Sequence, residues 1–404
     1  MAPRPLGLHL TAAMSTWASS LGVLPPSSSA SAISSGSAPP VFASPGLASL
    51  WPQLAAAAPD ALRAAVDAEI RRRAAALAGA IAAYRRHPYR RAAVPWPVIW
   101  SEGTTRMLDC APDAAAPPVL VIPSLVNRGY ILDLLPERSF VRALAAAGFR
   151  PLLVDWDAPG DVERGFGLDA YVAGRLARAL EAVRALGPGR PVVAGYCMGG
   201  LLALPLALQH AEALRGLVLL ATPWDFHAER RDLAVALAAQ ARVWLPIVDA
   251  LGELPVDGIQ ALFAGLDPFL VPRKFLGFAG LDPGGDKARE FVALEDWLND
   301  GVPLAAPVAR ECLLDWYGDN ATAAGHWRIA GDAVDPARLR VPSLVVVPEQ
   351  DRIVPPRSAL ALHAALPGAA KLVPPLGHIG MVSSRRAPAT LWPQVFDWLR
   401  ALAP

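Results

Sequence analysis

The residue types with most chemical potential in this chain centre on Cys197, the middle of Gly195-Tyr196-Cys197-Met198-Gly199. The apolar run "VVAGY" before it has strand character, and "GGLLALPLALQHA" after it has the composition of a buried helix. Strand, glycine-flanked turn and helix together form a nucleophile elbow, in which the turn lifts one side chain clear of a sheet while small neighbours let backbone segments approach. Such an elbow calls for an acid and then a histidine, in that order, at the carboxyl ends of later strands. Asp351 closes "VPSLVVVPEQD" and His378 follows the next strand, in "PLGHIG", so both stand where the elbow requires them.

Other residues compete for these roles. Asp225, after the strand "LRGLVLLAT", is the alternative acid, and Glu349 falls inside the end of the strand that Asp351 closes. His227 and His326 belong to a long insertion, where they line a pocket or face solvent, whereas His210 and His363 fall in helices that cover the sheet and read as structural. Cys110 and Cys312 lie outside any strand-turn-helix elbow and read as small apolar fillers.

The chemistry of the set follows from acidity. A free thiol titrates near about 8.5, so little of it is thiolate at neutral pH. His378, oriented by Asp351, would take the proton, and Cys197 would then attack an acyl carbon. The oxyanion needs two backbone N–H donors, each typically worth about 3 kcal/mol of barrier. Met198, next to the nucleophile, supplies one; Leu125, in the loop "PSLVNRGY" after the first core strand, supplies the other.

These residues require a particular scaffold. From residue 118 onward, apolar strands ("PPVLVIPSL", "RPLLVDWDAP", "PVVAGYC", "LRGLVLLAT", "VPSLVVVPEQD", "AKLVPPLGHIG") alternate with helices such as "RSFVRALAAAGF" and "LDAYVAGRLARALEAVRAL". Continuous apolar strands separated by helices predict an α/β fold with a mainly parallel sheet. The core is expected at 96–225 and 341–404, with 226–340, far longer than an ordinary connection, inserted as a cap. Residues 51–95 read as an N-terminal helical segment, ended by Pro88, Pro95 and Pro97. Residues 1–50, with "SSSASAISSGSAPP" and no acidic side chain, predict a disordered low-complexity tail or a stretch preceding the true start. Arg4 before "LGLHLTAAM" is only a faint targeting signal, since the apolar stretch is interrupted and no cleavage site follows.

Composition narrows the class. Of 404 residues 53% are hydrophobic, enough for a large core, and the net charge of +1 gives no bulk attraction for nucleic acid. The basic stretch "YRRHPYRR" reads as a solvated face. The three cysteines are widely spaced without a CxxC, which argues against a disulfide framework or a cysteine zinc site and points to a reducing, cytoplasmic setting. Neither a metal nor a bound cofactor is expected. No uninterrupted apolar run reaches the roughly 18 to 20 residues of a membrane helix, so no transmembrane segment is expected.

Several blocks, "LVNRGYILDLLPERSFVRALAAAGFRPLLVDWDAPG", "GYCMGG", "LLATPWDF" and "GHIGMV", resemble those of polyhydroxyalkanoate (PHA) synthases, especially the shorter type that works with a separate subunit. The resemblance spans roughly residues 95–400. It implies an α/β-hydrolase fold with an inserted cap, and polymerisation of 3-hydroxyacyl groups from coenzyme A thioesters onto a polyester chain. It implies as partners a second copy or a separate synthase subunit, and the surface of polyester granules. The family's nucleophile falls on Cys197, its aspartate on Asp351, its histidine on His378 and its second oxyanion donor on Leu125. One position departs: where the family has histidine after the aspartate, "QDRIVPP" has Arg352, which stays cationic and cannot shuttle a proton. The family's long N-terminal domain is also abbreviated. Dienelactone hydrolases share the Gly-Tyr-Cys elbow but are much shorter and lack the "LVNRGYILDL" block. Three readings follow: an acyltransferase; a thioesterase or polyester hydrolase with water as acceptor; and a catalytically impaired granule-associated homologue. In the first, Trp224, Phe226, Phe263, Phe269 and Trp297 of the cap exclude water, although the same aromatics would also serve as plain core.

Overall fold

A computed structural model describes residues 2–22, 57–92, 94–112, 116–187 and 189–402. The low-complexity residues 23–50 lie outside this set. Eight strands, β1 (Val98–Glu102), β2 (Thr105–Asp109), β3 (Pro118–Ile122), β4 (Arg150–Trp156), β5 (Val192–Tyr196), β6 (Gly216–Leu220), β7 (Ser343–Val346) and β8 (Ala370–Leu372), form one sheet. Their order is β1-β2-β4-β3-β5-β6-β7-β8. From β4 to β8 every neighbouring pair is parallel, while β1 and β2 add an antiparallel edge. Strands such as Val192–Tyr196 and Gly216–Leu220 are buried along their whole length, the pattern of a sheet covered on both faces.

The helices used below are α1 (Leu6–Gly22), α2 (Pro59–Arg86), α3 (Met198–Gln209), α4 (Arg231–Leu251) and α5 (Leu270–Ala279). Contacts divide the chain into two compact units, residues 1–89 with 260–292 and residues 90–259 with 293–404.

The first unit is helical. Leu77, Ala80, Ile81 and Tyr84 of α2 meet Val271, Phe275 and Phe278 of α5, with Tyr84 edge-on to Phe275 at 5.4 Å between ring centroids. Residues 6–22, inside the stretch whose composition predicts disorder, form α1 instead. The reason is a stripe at helical spacing: Leu6, Leu10, Ala13 and Trp17 pack on that same core, an apolar face that offsets the ordering entropy.

The second unit holds the sheet. Its β1–β2 hairpin, unanticipated from the sequence, turns at Gly103, whose φ of +53° favours glycine. Arg175 fastens this hairpin from a π-helical segment, Ala170–Leu176. Helix α4 also departs from expectation, being long and apolar enough to cross a membrane by length and composition. Asp232, Arg242 and Asp249 interrupt its apolar run in sequence, which is why run length alone does not reveal it. Ala234, Ala238, Ala241, Leu245 and Val248 form its buried stripe, and Val243 and Ile247 are exposed.

Candidate active site

Strand β5 ends at Tyr196, and the next residue, Cys197, takes φ 55° and ψ −126°, a conformation that costs a non-glycine residue free energy. Its N–H donates to the carbonyl of Leu220 at the end of β6 (2.8 Å), and its own carbonyl accepts from Gly200 (2.9 Å) as α3 begins. The flanking glycines are dictated by packing: a Cβ on Gly195 would come within 2.5 Å of Gly200 Cα, and one on Gly199 would strike the carbonyl oxygens of Ile122 and Pro123. Met198 opens α3, where the first N–H groups have no acceptor within the helix.

Asp351 lies in the turn beyond β7, buried, with both carboxylate oxygens engaged. Its Oδ1 accepts from the N–H groups of Ile353 (2.8 Å) and Val354 (2.9 Å), and its Oδ2 contacts His378 Nδ1 at 2.7 Å. With Nδ1 engaged, Nε2 is the nitrogen left free of Asp351, and the Cys197 side chain is close enough to act on the ring electrostatically. Burial alone would lower the His378 pKa, but the Cys197 charge and the hydrogen bonds to Asp351 and Cys197 overcome it and raise the value to about 10. The site thus favours the protonated form of the His378 imidazole. Arg352, next in sequence to Asp351, is exposed.

Two segments of the insertion are stitched together near this group. The carbonyl of Trp224 accepts from the Thr322 hydroxyl, Phe226 N–H donates to Asn320 Oδ1 (2.9 Å), and His227 Nε2 contacts the Tyr317 carbonyl (2.9 Å). Phe226 then stacks on Trp316 (5.8 Å, 18° between planes) and meets Tyr317 edge-on at 4.9 Å. Tyr317 and Trp316 project from a second π-helical segment, Glu311–Gly318. Burial pushes the Tyr317 phenol up to about 12.

Cys197, Asp351 and His378 are therefore brought together, and of the competing residues Asp225, His227 and His363 are engaged elsewhere. Asp225 accepts from Asn320 Nδ2 (2.9 Å) and from the N–H of His227 (2.9 Å). Glu349 and His326 are exposed, His210 is half-buried, and His363 contacts the Ala369 carbonyl (3.1 Å). Burial raises the thiol of Cys110 to about 12 and that of Cys312 well above its ordinary value, leaving both unreactive. Leu125 is buried in the loop after β3. Of the aromatics assigned to the cap, Trp224 and Phe226 join the cluster just described, and Trp297 Nε1 donates to the Arg128 carbonyl (2.7 Å). Phe263 and Phe269 fall in the other unit. Among the described residues no group of three or more His, Cys, Asp or Glu side chains is arranged to hold a metal ion.

Three neighbours escape a reading of the sequence alone. Tyr196 has a signal, an aromatic ring directly before the nucleophile; Tyr317 and Asn320 have none, because they meet Phe226 and Asp225 only through long-range packing of the insertion.

Comparison with known proteins bears on the fold and the family. A profile described as the alpha/beta hydrolase fold matches residues 117–254. Together with the parallel sheet, it identifies an α/β-hydrolase fold. The chain is 31% identical over 293 residues to the poly(3-hydroxyalkanoate) polymerase subunit PhaC of Allochromatium vinosum, across 72% of this chain and 82% of that one. It is 32% identical over 293 residues to the PhaC subunit of Synechocystis, covering 70% of this chain and 77% of that one. It is also 32% identical over 286 residues to the PhaC subunit of Haloferax mediterranei, of which it spans only 58%.

Proposed function

Because the chain belongs to the poly(3-hydroxyalkanoate) polymerase family, we propose that it is an acyltransferase that loads 3-hydroxyacyl groups from coenzyme A thioesters onto Cys197 and passes them to a polyester hydroxyl. The observation that supports this most is a cysteine on a strained turn, in the same site as a histidine whose Nδ1 is held by a buried carboxylate. The Cys197 sulfur attacks the thioester carbonyl, the carbon–sulfur bond to coenzyme A breaks, and the leaving thiolate takes the proton from His378. His378 then removes the proton of the acceptor hydroxyl, whose oxygen attacks the acyl-cysteine; the carbon–sulfur bond to Cys197 breaks and the thiolate returns. In both halves the oxyanion is received by the N–H groups of Met198 and Leu125.

Sulfur suits this cycle. Exchange between thioesters is near balanced, whereas transfer from sulfur to oxygen is downhill, so the enzyme must mainly keep water from competing. Phe226, Trp316 and Tyr317 form the apolar wall for that purpose. The same reading takes in a cytoplasmic enzyme at the surface of polyester granules, working with a second copy or a separate synthase subunit.

A second reading is favoured by Arg352, which replaces a group able to move protons: acyl loading survives and water becomes the acceptor. Purified protein incubated with 3-hydroxybutyryl-coenzyme A separates the two. Release of coenzyme A with insoluble polyester supports the transferase, and free 3-hydroxybutyrate without polymer replaces it by the thioesterase. An intact mass with no acyl adduct, together with no product, overturns both and leaves an impaired homologue.

A further inference from the structure

His378 stands on a short irregular stretch after β8, and one side-chain bond to Asp351 fixes only one edge of its ring. A second element reaches it. Tyr196, the last residue of β5 and only 3% exposed, donates its hydroxyl to the backbone carbonyl of His378 at 3.2 Å. Its ring lies against the imidazole, 5.3 Å between centroids and tilted by 35°.

We propose that Tyr196 is a positioning residue that sets the imidazole of His378 in register with the sulfur of Cys197, its hydroxyl tethering the histidine's backbone and its ring supporting the protonated imidazole. This deepens the reading of Cys197 and His378 as nucleophile and base, and rests on it. Tyr196 and Cys197 are consecutive and both are tied to β6, Tyr196 by pairing with Leu220 and Cys197 by its N–H to the Leu220 carbonyl. A histidine held by Tyr196 is therefore held in the frame that carries the nucleophile, and a displacement of about 1 Å in such a frame costs on the order of 100-fold in rate.

The ring makes a separate contribution. The face of an aromatic ring within about 6 Å of a cation attracts it, so Tyr196 favours imidazolium over neutral imidazole. The titratable groups facing His378 are Cys197, Asp351 and Tyr196 itself; burial raises the Tyr196 phenol well above its ordinary value, so its ring adds an uncharged surface that is electrostatically attractive to positive charge.

The test uses the full chain and two readouts. Cys110 and Cys312 are buried and unreactive, so alkylation of the native protein by iodoacetamide, followed by intact mass, reports on Cys197. Tyr196→Phe keeps the ring and loses the tether; Tyr196→Met and Tyr196→Leu lose both, and two apolar variants are made so that the result does not hang on one of them folding. The Phe variant is expected to lower kcat for loading from 3-hydroxybutyryl-coenzyme A about 5-fold with KM unchanged, and to keep the wild-type pH profile of alkylation. The Met and Leu variants are expected to lower kcat about 100-fold and to shift the alkylation midpoint upward by about one pH unit, toward that of His378→Ala. A wild-type alkylation midpoint in a folded Met or Leu variant overturns the positioning role while leaving the base intact. If His378→Ala itself leaves the midpoint unmoved, the assignment of His378 as base fails first, and the role of Tyr196 with it.

Discussion

Asp351 and Glu163 are both carboxylates closed off from water in the unit that holds the sheet, and each is bound by a cation and by backbone N–H groups. Glu163 accepts from Arg175 Nη2 (2.8 Å) and from the N–H of Thr104 (3.1 Å). Burial would raise the Glu163 pKa, but these bonds outweigh it and hold the group below its usual value. The donors of Arg175 are shared among Glu163, Glu102 and Thr105, and a guanidinium does not shuttle protons, so this cluster can only brace β1 and β2 against the π-helical segment. In the other cluster the cation is a histidine. It can lose its proton, and its second nitrogen faces a thiol. Burial and pairing are common to both; a titratable partner with one edge open to a nucleophile is what separates a reactive site from a clamp.

The sharpest way to break this contrast is to remove the nucleophile. Cys197→Ala is expected to lower acyl transfer by about 10⁴-fold or more, as for a triad that acts as a unit, while Cys110→Ala leaves the rate within a few-fold, both measured as coenzyme A release. Comparable losses from the two would place the chemistry elsewhere. Next, Asp351→Asn is expected to cost up to about 10⁴-fold by losing the charge that steadies the imidazolium, without loss of fold by circular dichroism.

Removing the carboxylate of the other cluster gives the opposite signature. Glu163→Gln leaves Arg175 short of a charged partner, at a cost of about 3 to 5 kcal/mol of stability, seen as a lower melting temperature with turnover preserved well below it. Turnover lost at temperatures where the variant is fully folded would mean that the clamp takes part in the chemistry.

The two clusters also part in their response to pH. His378 has its pKa raised from 6.5 to about 10 in the folded protein, so its contribution to stability is fully present below about 6.5 and is lost as the pH rises through about 10. The melting-temperature gap between wild type and His378→Ala is expected to narrow over that interval, while the gap between wild type and Glu163→Gln stays constant there. A His378 gap that widens with pH would reverse the sign of the linkage.

How much of this was legible follows from the range of each interaction. The parallel strands announce themselves as continuous apolar runs, and the elbow, Asp351 and His378 follow from where such runs end, because strand order and chain direction fix which ends share a rim. The β1–β2 hairpin was missed although "VIWSEGTTRMLD" has a glycine turn, since its first strand is partly exposed and lacks a clean alternation. Helix α1 hid in a segment judged by average composition, when only the spacing of Leu6, Leu10 and Trp17 mattered. The grouping of 260–292 with the N-terminal helices depends on packing between distant stretches, as do the placements of Tyr317 and Asn320, and no local pattern encodes either.

The smallest expected effect concerns Arg352, which stands where the family resemblance implies a histidine. Arg352 adjoins Asp351 in sequence, yet its side chain is exposed, while Asp351 is satisfied by two backbone N–H groups and His378. An exposed guanidinium acts on such a pair mainly through a field that salt screens within about 10 Å. If that is all it does, Arg352→His and Arg352→Gln change polymer formation equally, by less than about 3-fold, and the change fades at high ionic strength. If instead a proton carrier is needed at this position, histidine and glutamine part company: Arg352→His raises polymer yield at least 10-fold, Arg352→Gln does not, and the difference persists in salt. Polyester mass per coenzyme A released, measured for both variants at low and high salt, decides between a neighbour that merely colours the field of the site and one whose loss has stalled its second half-reaction.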